Sequence, residues 1–331
     1  MTPFVLAWRF AHVYRTRAGY PRPRPPTSDP SAFGLLFENR TVPTPDGLQL
    51  PAWWIPAAAE MAPDGRAPAV VLVHGWESAR HRTLPNAEFL HALGYHVLTI
   101  DIRGHGANEP ETLPVSAGEF GTDALAAVEA ALADPQVTQV GILGHSMGSI
   151  GAILAAAAEP RVAAVILTAT PADPYRLTRQ TFRLARLPIP DPLAFPVAWL
   201  TTRVYLAPRG HHVGDISAST AVREYAGPIL VIHGTDDQVV PFAHFARLMK
   251  VASAARGATT DPASIESLVI PGGGHSWLYE FPAYRSAIAR FLATAFGGSL
   301  TSDAAASLAE GVETRRPTEA EHGFSALATG A

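Results

Sequence analysis

A serine lies between two glycines where an apolar run of the chain meets an alanine-rich one, in the stretch VTQVGILGHSMGSIGAILAAAAEP. Ser146 stands between Gly144 and Gly148, which is the pattern Gly-x-Ser-x-Gly. On a sharp turn from a strand to a helix, such a serine is exposed as a nucleophile, and the glycines allow close packing around it. A short pattern of this kind also occurs by chance. Other residues of the chain are therefore needed to distinguish a nucleophile from an ordinary loop serine.

A base is needed if Ser146 is a nucleophile, because a serine hydroxyl is reactive only when a neighbouring group removes its proton. The chain has 13 histidines. On a strand-turn-helix serine of this type, the chain order is serine, acid, histidine. His275 follows the last predicted strand in a glycine-rich loop, whereas we predict His244 and His322 to be surface residues. His275 is therefore the predicted base.

The acid and the oxyanion donors are predicted to follow other strands. Asp236 and Asp237 both come directly after a predicted strand, and either could orient His275, although aspartates in such positions also cap turns. Two backbone N–H groups usually stabilise the oxyanion, one from the residue after the nucleophile and one from the loop after an earlier strand. Met147 and Trp76 occupy those two positions.

Short apolar strands alternate with helices along the central part of the chain. The predicted strands cover residues 69–74, 95–101, 139–144, 161–170, 227–234 and 264–272. Nearly continuous apolar strands of this kind are typical of a mostly parallel sheet with helices on both faces. Ligands bind outside the carboxyl ends of such strands, and the serine, the two aspartates and the histidine all follow strands. We therefore predict an α/β fold with these residues at one edge of the sheet.

The composition restricts the class of protein. Hydrophobic residues make up 47% of the 331 residues and charged residues 16%, which is ordinary for a soluble protein with a large core. The net charge of −4 argues against a nucleic-acid binder. Without cysteine, the chain has no disulfides or thiolate metal sites. The adjacent His211 and His212 do not share a face of a helix or strand, so we predict no metal and no cofactor.

Both ends of the chain differ from its centre. Residues 1–32 form an apolar segment and an Arg- and Pro-rich connector, and Arg9 and His12 make the apolar run too short and too polar to span a bilayer. A helix lying in a membrane interface, a helix packed on the domain and a frayed end all remain open. We expect a cytoplasmic protein whose N-terminal segment could contact a membrane surface weakly. Residues 298–331 lack a sustained apolar face and are predicted to be disordered.

Residues 171–226 interrupt the alternation and are predicted to be a small helical lid. Phe195, Trp199 and Leu200 suit the roof of an apolar acyl pocket. A series of arginines at helical spacing is predicted mainly as a solvated face, although it could also hold an anionic substrate. These are Arg176, Arg179, Arg183 and Arg186.

Five segments occur together in the order found in the α/β-hydrolase superfamily: LVHGW, DIRGHG, GHSMG, HGTDDQVVP and GGGHSW. Over about residues 33–297, the chain resembles bacterial serine-aminopeptidase-like and carboxylesterase-like hydrolases. The resemblance implies an eight-stranded sheet flanked by helices, with antiparallel first strands near 36–43 and 48–55. The core would comprise residues 33–170 and 227–297.

Site residues follow from the same resemblance. It implies that Ser146 is the nucleophile, Asp237 the acid and His275 the base, with Trp76 and Met147 as oxyanion donors. These assignments choose Asp237 over its neighbour, which the residues alone left open.

Four further positions match or depart from the family pattern. Asp101, Arg103 and His105 match a family motif, and we interpret them as structural support for the site. Glu77 stands beside the expected oxyanion hole, where related sequences usually carry a small residue. A carboxylate that pointed inward there would oppose the developing negative charge.

The resemblance implies a serine hydrolase that cleaves small to medium acyl esters through an acyl-enzyme, with a small-molecule ester as its substrate. The net charge argues against a nucleic-acid partner. Peptidase, thioesterase and acyltransferase activity at the same site remain open, because a fold does not fix a function. An inactive ligand-binding protein is the alternative outside the enzymes.

Overall fold

The computed structural model describes residues 4–5, 8–10, 19–62, 64–187, 189–257, 265–298 and 300–317. Eight strands form one sheet at its centre. They are β1 (Glu38–Pro43), β2 (Gln49–Ile55), β3 (Ala67–Val73), β4 (His96–Ile100), β5 (Val137–His145), β6 (Val162–Thr168), β7 (Ile229–Gly234) and β8 (Ile265–Ile270).

The order of the strands in the sheet is β1-β2-β4-β3-β5-β6-β7-β8. The pairs β1–β2 and β2–β4 are antiparallel, and the other neighbours run parallel. This arrangement confirms the predicted eight-stranded, mostly parallel sheet with two antiparallel first strands. It brings the carboxyl ends of β5, β6, β7 and β8 to one edge, where the loops that carry the candidate site residues begin.

Nine helices are described around the sheet. They are α1 (Leu84–Ala92), α2 (Ala117–Leu132), α3 (Met147–Ala158), α4 (Pro174–Leu184), α5 (Asp191–Leu206), α6 (Ala218–Glu224), α7 (Ala243–Arg256), α8 (Pro282–Phe296) and α9 (Ser302–Gly311). Short 3₁₀ helices lie at Pro30–Phe33, Arg80–Thr83, Ala207–Arg209 and Leu278–Glu280.

Two apolar cores lie on opposite faces of the sheet, because successive side chains of a strand point to opposite sides. In β3, Val71 and Val73 belong to the core under α2 and α3. Val70 and Leu72 belong to the core under α1 and α8. Both faces of the central strands are therefore buried, which explains their nearly continuous apolar sequence.

The C-terminal segment is partly ordered, and the prediction of disorder over residues 298–331 is wrong for α9. This helix packs against α8, and Arg285 of α8 donates hydrogen bonds to the carbonyls of Ala309 and Glu310. The buried face of α9 consists only of alanines, a weak sequence signal: Ala305, Ala306 and Ala309. Residues 318–331 lie outside the described residues, so disorder there stays a prediction.

The described part of the N-terminal segment lies against the insertion between β6 and β7. The guanidinium of Arg9 donates to the carbonyl of Ala185 at 3.2 Å. The rings of Phe10 and Phe182 lie 6.1 Å apart. Among the described helices, none is long and apolar enough to cross a membrane.

A buried ion pair fixes the loop that follows β4. The main-chain N–H of Arg103 donates to Asp123 at 2.8 Å, and its guanidinium donates to the same carboxylate at 2.6 and 2.9 Å. The carboxylate of Asp101, also buried, accepts from the main chain and the guanidinium of Arg80. These contacts agree with the interpretation that the Asp101–Arg103–His105 motif is structural support.

Several buried histidines are neutral. Burial lowers the pKa of His105 to about 3 and that of His81 and His244 to about 4. The prediction of a surface position for His244 is wrong, because its ring accepts a hydrogen bond from the N–H of Ala172 at 3.0 Å in the loop after β6. The tail residue His322 lies outside the described residues.

Loss of Arg103 is expected to destabilise the fold. In Arg103→Met, the carboxylate of Asp123 stays buried without its cation, which costs about 3–5 kcal/mol of unfolding free energy. Urea denaturation measures this loss. The control is Arg161→Met, whose exposed pair with Glu159 should contribute nothing measurable. Equal stability of the two variants would contradict a structural role for Arg103.

Stability is expected to fall as the pH decreases from about 6.5 to 4. In the unfolded chain the histidines take up protons near pH 6.5, whereas in the folded protein His81, His105 and His244 stay neutral to pH 4 or below. The unfolded state therefore binds more protons in this range, and each histidine can cost about 1.4 kcal/mol per pH unit.

Urea denaturation at a series of pH values measures this slope. His244→Asn keeps an acceptor for the N–H of Ala172 but removes one titrating ring, so its slope should be shallower. A wild-type unfolding free energy that did not change between neutral pH and pH 5 would refute the explanation.

Candidate active site

Ser146 occupies a strained turn between β5 and α3. Its φ of 55° and ψ of −121° are unfavourable for a residue with a side chain. A Cβ on Gly144 would overlap the carbonyl of Gly148, and a Cβ on Gly148 would overlap the carbonyl of Val73. The two glycines therefore let α3 start immediately beside β3 and β5, and this close packing holds the turn.

A chain of hydrogen bonds joins the serine, the histidine and the second aspartate. The hydroxyl Oγ of Ser146 lies 3.1 Å from Nε2 of His275. Nδ1 of the same ring lies 2.8 Å from Oδ2 of Asp237. With Asp237 ionised, Nδ1 carries the proton and donates to the carboxylate, so Nε2 is free to accept from the serine hydroxyl.

Asp237 is fixed in the orientation that this chain requires. Its Oδ1 accepts from the N–H groups of Val239 and Val240 at 2.9 and 2.7 Å, which leaves Oδ2 for His275. Burial alone would raise the pKa of Asp237, but the electrostatic attraction to His275 and the hydrogen bonds from His275 and Val240 outweigh it. The pKa is below its ordinary value, so the carboxylate stays ionised.

The two neighbouring aspartates lie in different environments. Asp236 is exposed. Its carboxylate accepts from the hydroxyl of Thr235, and its N–H donates to the carbonyl of Gly273 at 2.9 Å. A Cβ on Gly234 would overlap that same carbonyl, so the loops after β7 and β8 touch. This contact brings the loop that carries the aspartates against the loop that carries His275.

Two histidines that the sequence analysis did not identify, His145 and the buried His233, bind the loops that carry His275 and Asp237. His145 donates from Nε2 to the carbonyl of His275 at 2.7 Å, and burial lowers its pKa to about 3. His233 donates from Nε2 to the carbonyl of Val240 at 2.8 Å. Both lie at the ends of strands, beside candidate residues, but a histidine in a strand gives no sign of which backbone group it binds.

The two expected oxyanion donors lie beside Ser146. Met147 is the first residue of α3, so its N–H has no acceptor within the helix and lies at the positive end of the helix dipole. Gly75 precedes Trp76, and a Cβ on that glycine would lie 3.2 Å from the Cβ of Ser146. The indole of Trp76 packs edge-on against His105, with ring centroids 5.1 Å apart, which fixes this loop.

Glu77 lines the cavity that opens at Ser146 and His275, and it has a positive φ of 48°. Its carboxylate lies 3.8 Å from the guanidinium of Arg24, a residue of the N-terminal connector that also lines the cavity. A cation therefore accompanies the carboxylate that departs from the family pattern. The Arg- and Pro-rich composition of the connector gave no indication that Arg24 would reach the site.

A cavity of about 250 Å³ opens at Ser146 and His275. The insertion contributes one face of α4 to the wall of this cavity. The residues of this face are four and three positions apart, a helical spacing in the sequence that indicates a shared face. These residues are Leu177, Thr181 and Leu184. Tyr205 of α5 and Trp277 of the loop after β8 complete this side.

The predicted acyl-pocket residues of the insertion do not line this cavity. Phe195, Trp199 and Leu200 are 43%, 44% and 59% exposed. The reason is that α5 buries its other face, which includes Ala198 and Thr202. The insertion therefore reaches the cavity mainly through α4, and the three residues are withdrawn as pocket candidates.

The remaining candidates have other partners. Three of the arginines line a second, smaller cavity together with Phe195 and His244: Arg176, Arg179 and Arg183. Arg186 is exposed. His211 lies 2.6 Å from the carboxylate of Glu119. Within the described ranges, no group of three potential metal ligands occurs.

Comparison with known proteins gives related sequences and structures. The model of the alpha/beta hydrolase family matches residues 70–287, more than half of the chain. An uncharacterized protein of Mycobacterium tuberculosis is 29% identical over 269 residues, which covers 80% of this chain and 82% of that protein. The pimeloyl-[acyl-carrier protein] methyl ester esterase of Xanthomonas campestris is 36% identical over 108 residues, covering 32% of this chain and 39% of the esterase.

Among solved structures, the esterase Pf2001 of Pyrococcus furiosus superposes with a TM-score of 0.66 at 21% sequence identity, covering 85% of this chain and 99% of the esterase. This likeness shows the fold, and the family match covers the strands and loops that carry the site. The chain belongs to the alpha/beta hydrolase family.

Proposed function

We propose that this protein is a serine hydrolase that cleaves small to medium acyl esters through an acyl-enzyme. The observation that carries the proposal is the hydrogen-bond chain from Ser146 through His275 to Asp237, at the wall of a cavity of about 250 Å³. A serine, a histidine and a buried carboxylate in this geometry are the parts that acyl transfer needs.

In the first half of the reaction, Oγ of Ser146 attacks the ester carbonyl while Nε2 of His275 takes the hydroxyl proton. The carbonyl oxygen becomes an oxyanion, which the N–H groups of Trp76 and Met147 stabilise. His275 then returns the proton to the leaving alcohol, and the acyl group stays on Ser146. Asp237 holds the imidazole tautomer and stabilises the imidazolium without taking the proton itself.

In the second half, a water molecule replaces the alcohol. His275 removes its proton as the oxygen attacks the acyl carbonyl, and the same N–H groups stabilise the second oxyanion. Collapse of this intermediate breaks the bond to Oγ, and His275 returns the proton to Ser146. The acid product leaves, and the resting site is restored.

The preference for esters is supported by the cavity and by the relatives. Its wall includes apolar side chains such as Leu177, Leu184 and Ile150, which suit an acyl chain. The Xanthomonas relative is named a methyl ester esterase, and the Pyrococcus structure is named an esterase. Peptidase, thioesterase and acyltransferase reactions pass through the same acyl-enzyme, so they are the comparison reactions in the assay.

An inactive binding protein is the competing function, and a fluorophosphonate probe separates the two. The probe reacts only with an activated serine, so an active enzyme becomes labelled on Ser146. A panel of p-nitrophenyl esters of increasing chain length, tested beside a thioester and an amide, then defines the preferred acyl group. Absence of labelling in the folded protein would refute the proposal.

The substitution Ser146→Ala is expected to abolish ester hydrolysis without unfolding the protein. Loss of the nucleophile typically lowers turnover by about 10⁶-fold, because only binding and oxyanion stabilisation remain. Initial rates measure the loss, and circular dichroism checks the fold. Ser276→Ala, which removes another hydroxyl of the cavity wall, should remain active. More than a few percent of activity in Ser146→Ala would exclude it as the nucleophile.

The two neighbouring aspartates are expected to respond differently to the same substitution. Asp237→Asn presents an amide N–H₂ to Nδ1 of His275 and favours the wrong tautomer, which should lower turnover by about 10⁴-fold. Asp236→Asn is the matched control and should stay active, because its carboxylate contacts Thr235 on the surface. Steady-state kinetics of both variants decide the matter, and the reverse pattern would assign the acid to Asp236.

A further inference from the structure

Exposed apolar side chains are concentrated in two parts of the molecule. Thirteen large hydrophobic side chains of the described residues are exposed, and eight of these lie in the N-terminal segment and in α5. A soluble monomer normally scatters such residues singly, and a larger contiguous group marks an interaction site. These two parts are therefore the candidates for an interaction site.

In α5, an apolar face points to solvent. Leu193, Leu200 and Val204 are 55%, 59% and 58% exposed. At intervals of seven and four residues, they fall on one face of the helix. The opposite side, with Ala198 and Leu206, is buried. The helix is thus apolar on both sides. Packing within the chain buries the side with Ala198 and Leu206 and leaves the other side exposed.

The N-terminal segment, which contacts the insertion at Ala185 and Phe182, adds exposed aromatic residues. Phe4 and Trp8 are 88% and 67% exposed. The contact of Arg9 with the carbonyl of Ala185 places this segment at the loop between α4 and α5. We define the docking surface as Phe4 and Trp8 together with Leu193, Leu200 and Val204.

The sequence around the docking surface is strongly basic, although the chain carries a net charge of −4. Residues 1–28 contain five arginines and no acidic residue, and residues 174–209 contain six arginines and one aspartate. Arg183, Arg186 and Arg203 are exposed within the insertion. Apolar and aromatic side chains flanked by arginines are the combination that binds an anionic lipid surface.

We propose that the docking surface binds the headgroup and acyl boundary of an anionic phospholipid membrane. The apolar side chains would enter the boundary, and the arginines would contact the negative headgroups. A second copy of the chain is a poorer occupant, because a symmetric interface would bring the arginine-rich segments of both copies together. The same insertion lines the catalytic cavity through α4, so docking would place that wall of the cavity beside the lipid.

Cosedimentation with vesicles tests the proposal on the full chain. We expect binding to vesicles that contain phosphatidylglycerol, little binding to pure phosphatidylcholine, and weaker binding as salt increases, because salt screens the headgroup charge. Ser146→Ala should bind like the wild type, so the result does not depend on the proposed catalytic activity. Loss of vesicle binding and loss of esterase activity are therefore separate outcomes.

Two sets of variants locate the surface. Leu200→Asp with Val204→Asp should reduce binding by at least about tenfold, because it places two carboxylates against an anionic boundary. Arg186→Gln with Arg203→Gln should also reduce it by about tenfold or more and should weaken the salt dependence. The second pair keeps the apolar residues, so it tests the proposal even if the first pair disturbs the fold.

Matched controls lie elsewhere on the molecule. Leu36→Asp with Leu308→Asp changes two exposed leucines outside the docking surface, and Arg66→Gln with Arg161→Gln changes two exposed arginines at the opposite edge of the sheet. Both control pairs should bind like the wild type.

Three outcomes overturn the proposal. The wild type does not bind phosphatidylglycerol vesicles, or the control pairs lose as much binding as the test pairs. The third is a dimer formed through this surface, which sedimentation equilibrium would detect.

Discussion

The site depends on one close approach of backbone, in which α3 begins against β3 and β5 with no side chain between them. A Cβ at either Gly144 or Gly148 would overlap a neighbouring carbonyl. The cost is the unfavourable conformation of Ser146 itself, which this packing holds in place. As a result, Ser146 presents its hydroxyl at the sheet edge, and Met147, the next residue, presents beside it an N–H that has no acceptor within the helix. The proposed nucleophile and one proposed oxyanion donor thus come from a single backbone constraint.

Two neutral histidines hold the loops that carry His275 and Asp237. Their neutrality matters because the proposed mechanism needs one negative charge on Asp237 and a second, transient one on the oxyanion. Desolvation lowers the pKa of His145 and His233 and keeps both rings uncharged. His145 donates to a carbonyl of the loop that carries His275, and His233 donates to a carbonyl of the loop that carries Asp237. They give orientation without adding a competing cation next to His275. Because these pKa values are lowered in the folded state, the unfolded chain binds more protons in acid. The histidines that position the site therefore also destabilise the fold as the pH falls.

The sequence predicted the sheet and the approximate positions of Ser146 and His275, because both follow from strand patterns and from turn chemistry beside strands. It could not choose between Asp236 and Asp237 without the family resemblance, since side-chain direction after a strand depends on a turn whose hydrogen bonds are not visible in the residue types. The helix α9 was missed because a face of alanines resembles a disordered composition. Arg24 was missed because its role depends on where a connector crosses the molecule, which is a long-range contact.

The wrong assignment of Phe195, Trp199 and Leu200 has a physical explanation that extends to the whole insertion. A helix with one apolar face has one predictable orientation, with that face buried. Because α5 has two apolar faces, hydrophobicity alone does not show which of them is buried. In α4 the opposite holds, because Leu177, Thr181 and Leu184 share one face and the arginines share the other. The insertion's part of the cavity wall therefore comes mainly from the amphipathic helix α4, with Tyr205 as the contribution of α5. The apolar residues that remain outside, on α5, do not line the cavity at Ser146. The proposed membrane contact is the simplest reason for a water-facing row of leucine and valine beside exposed arginines.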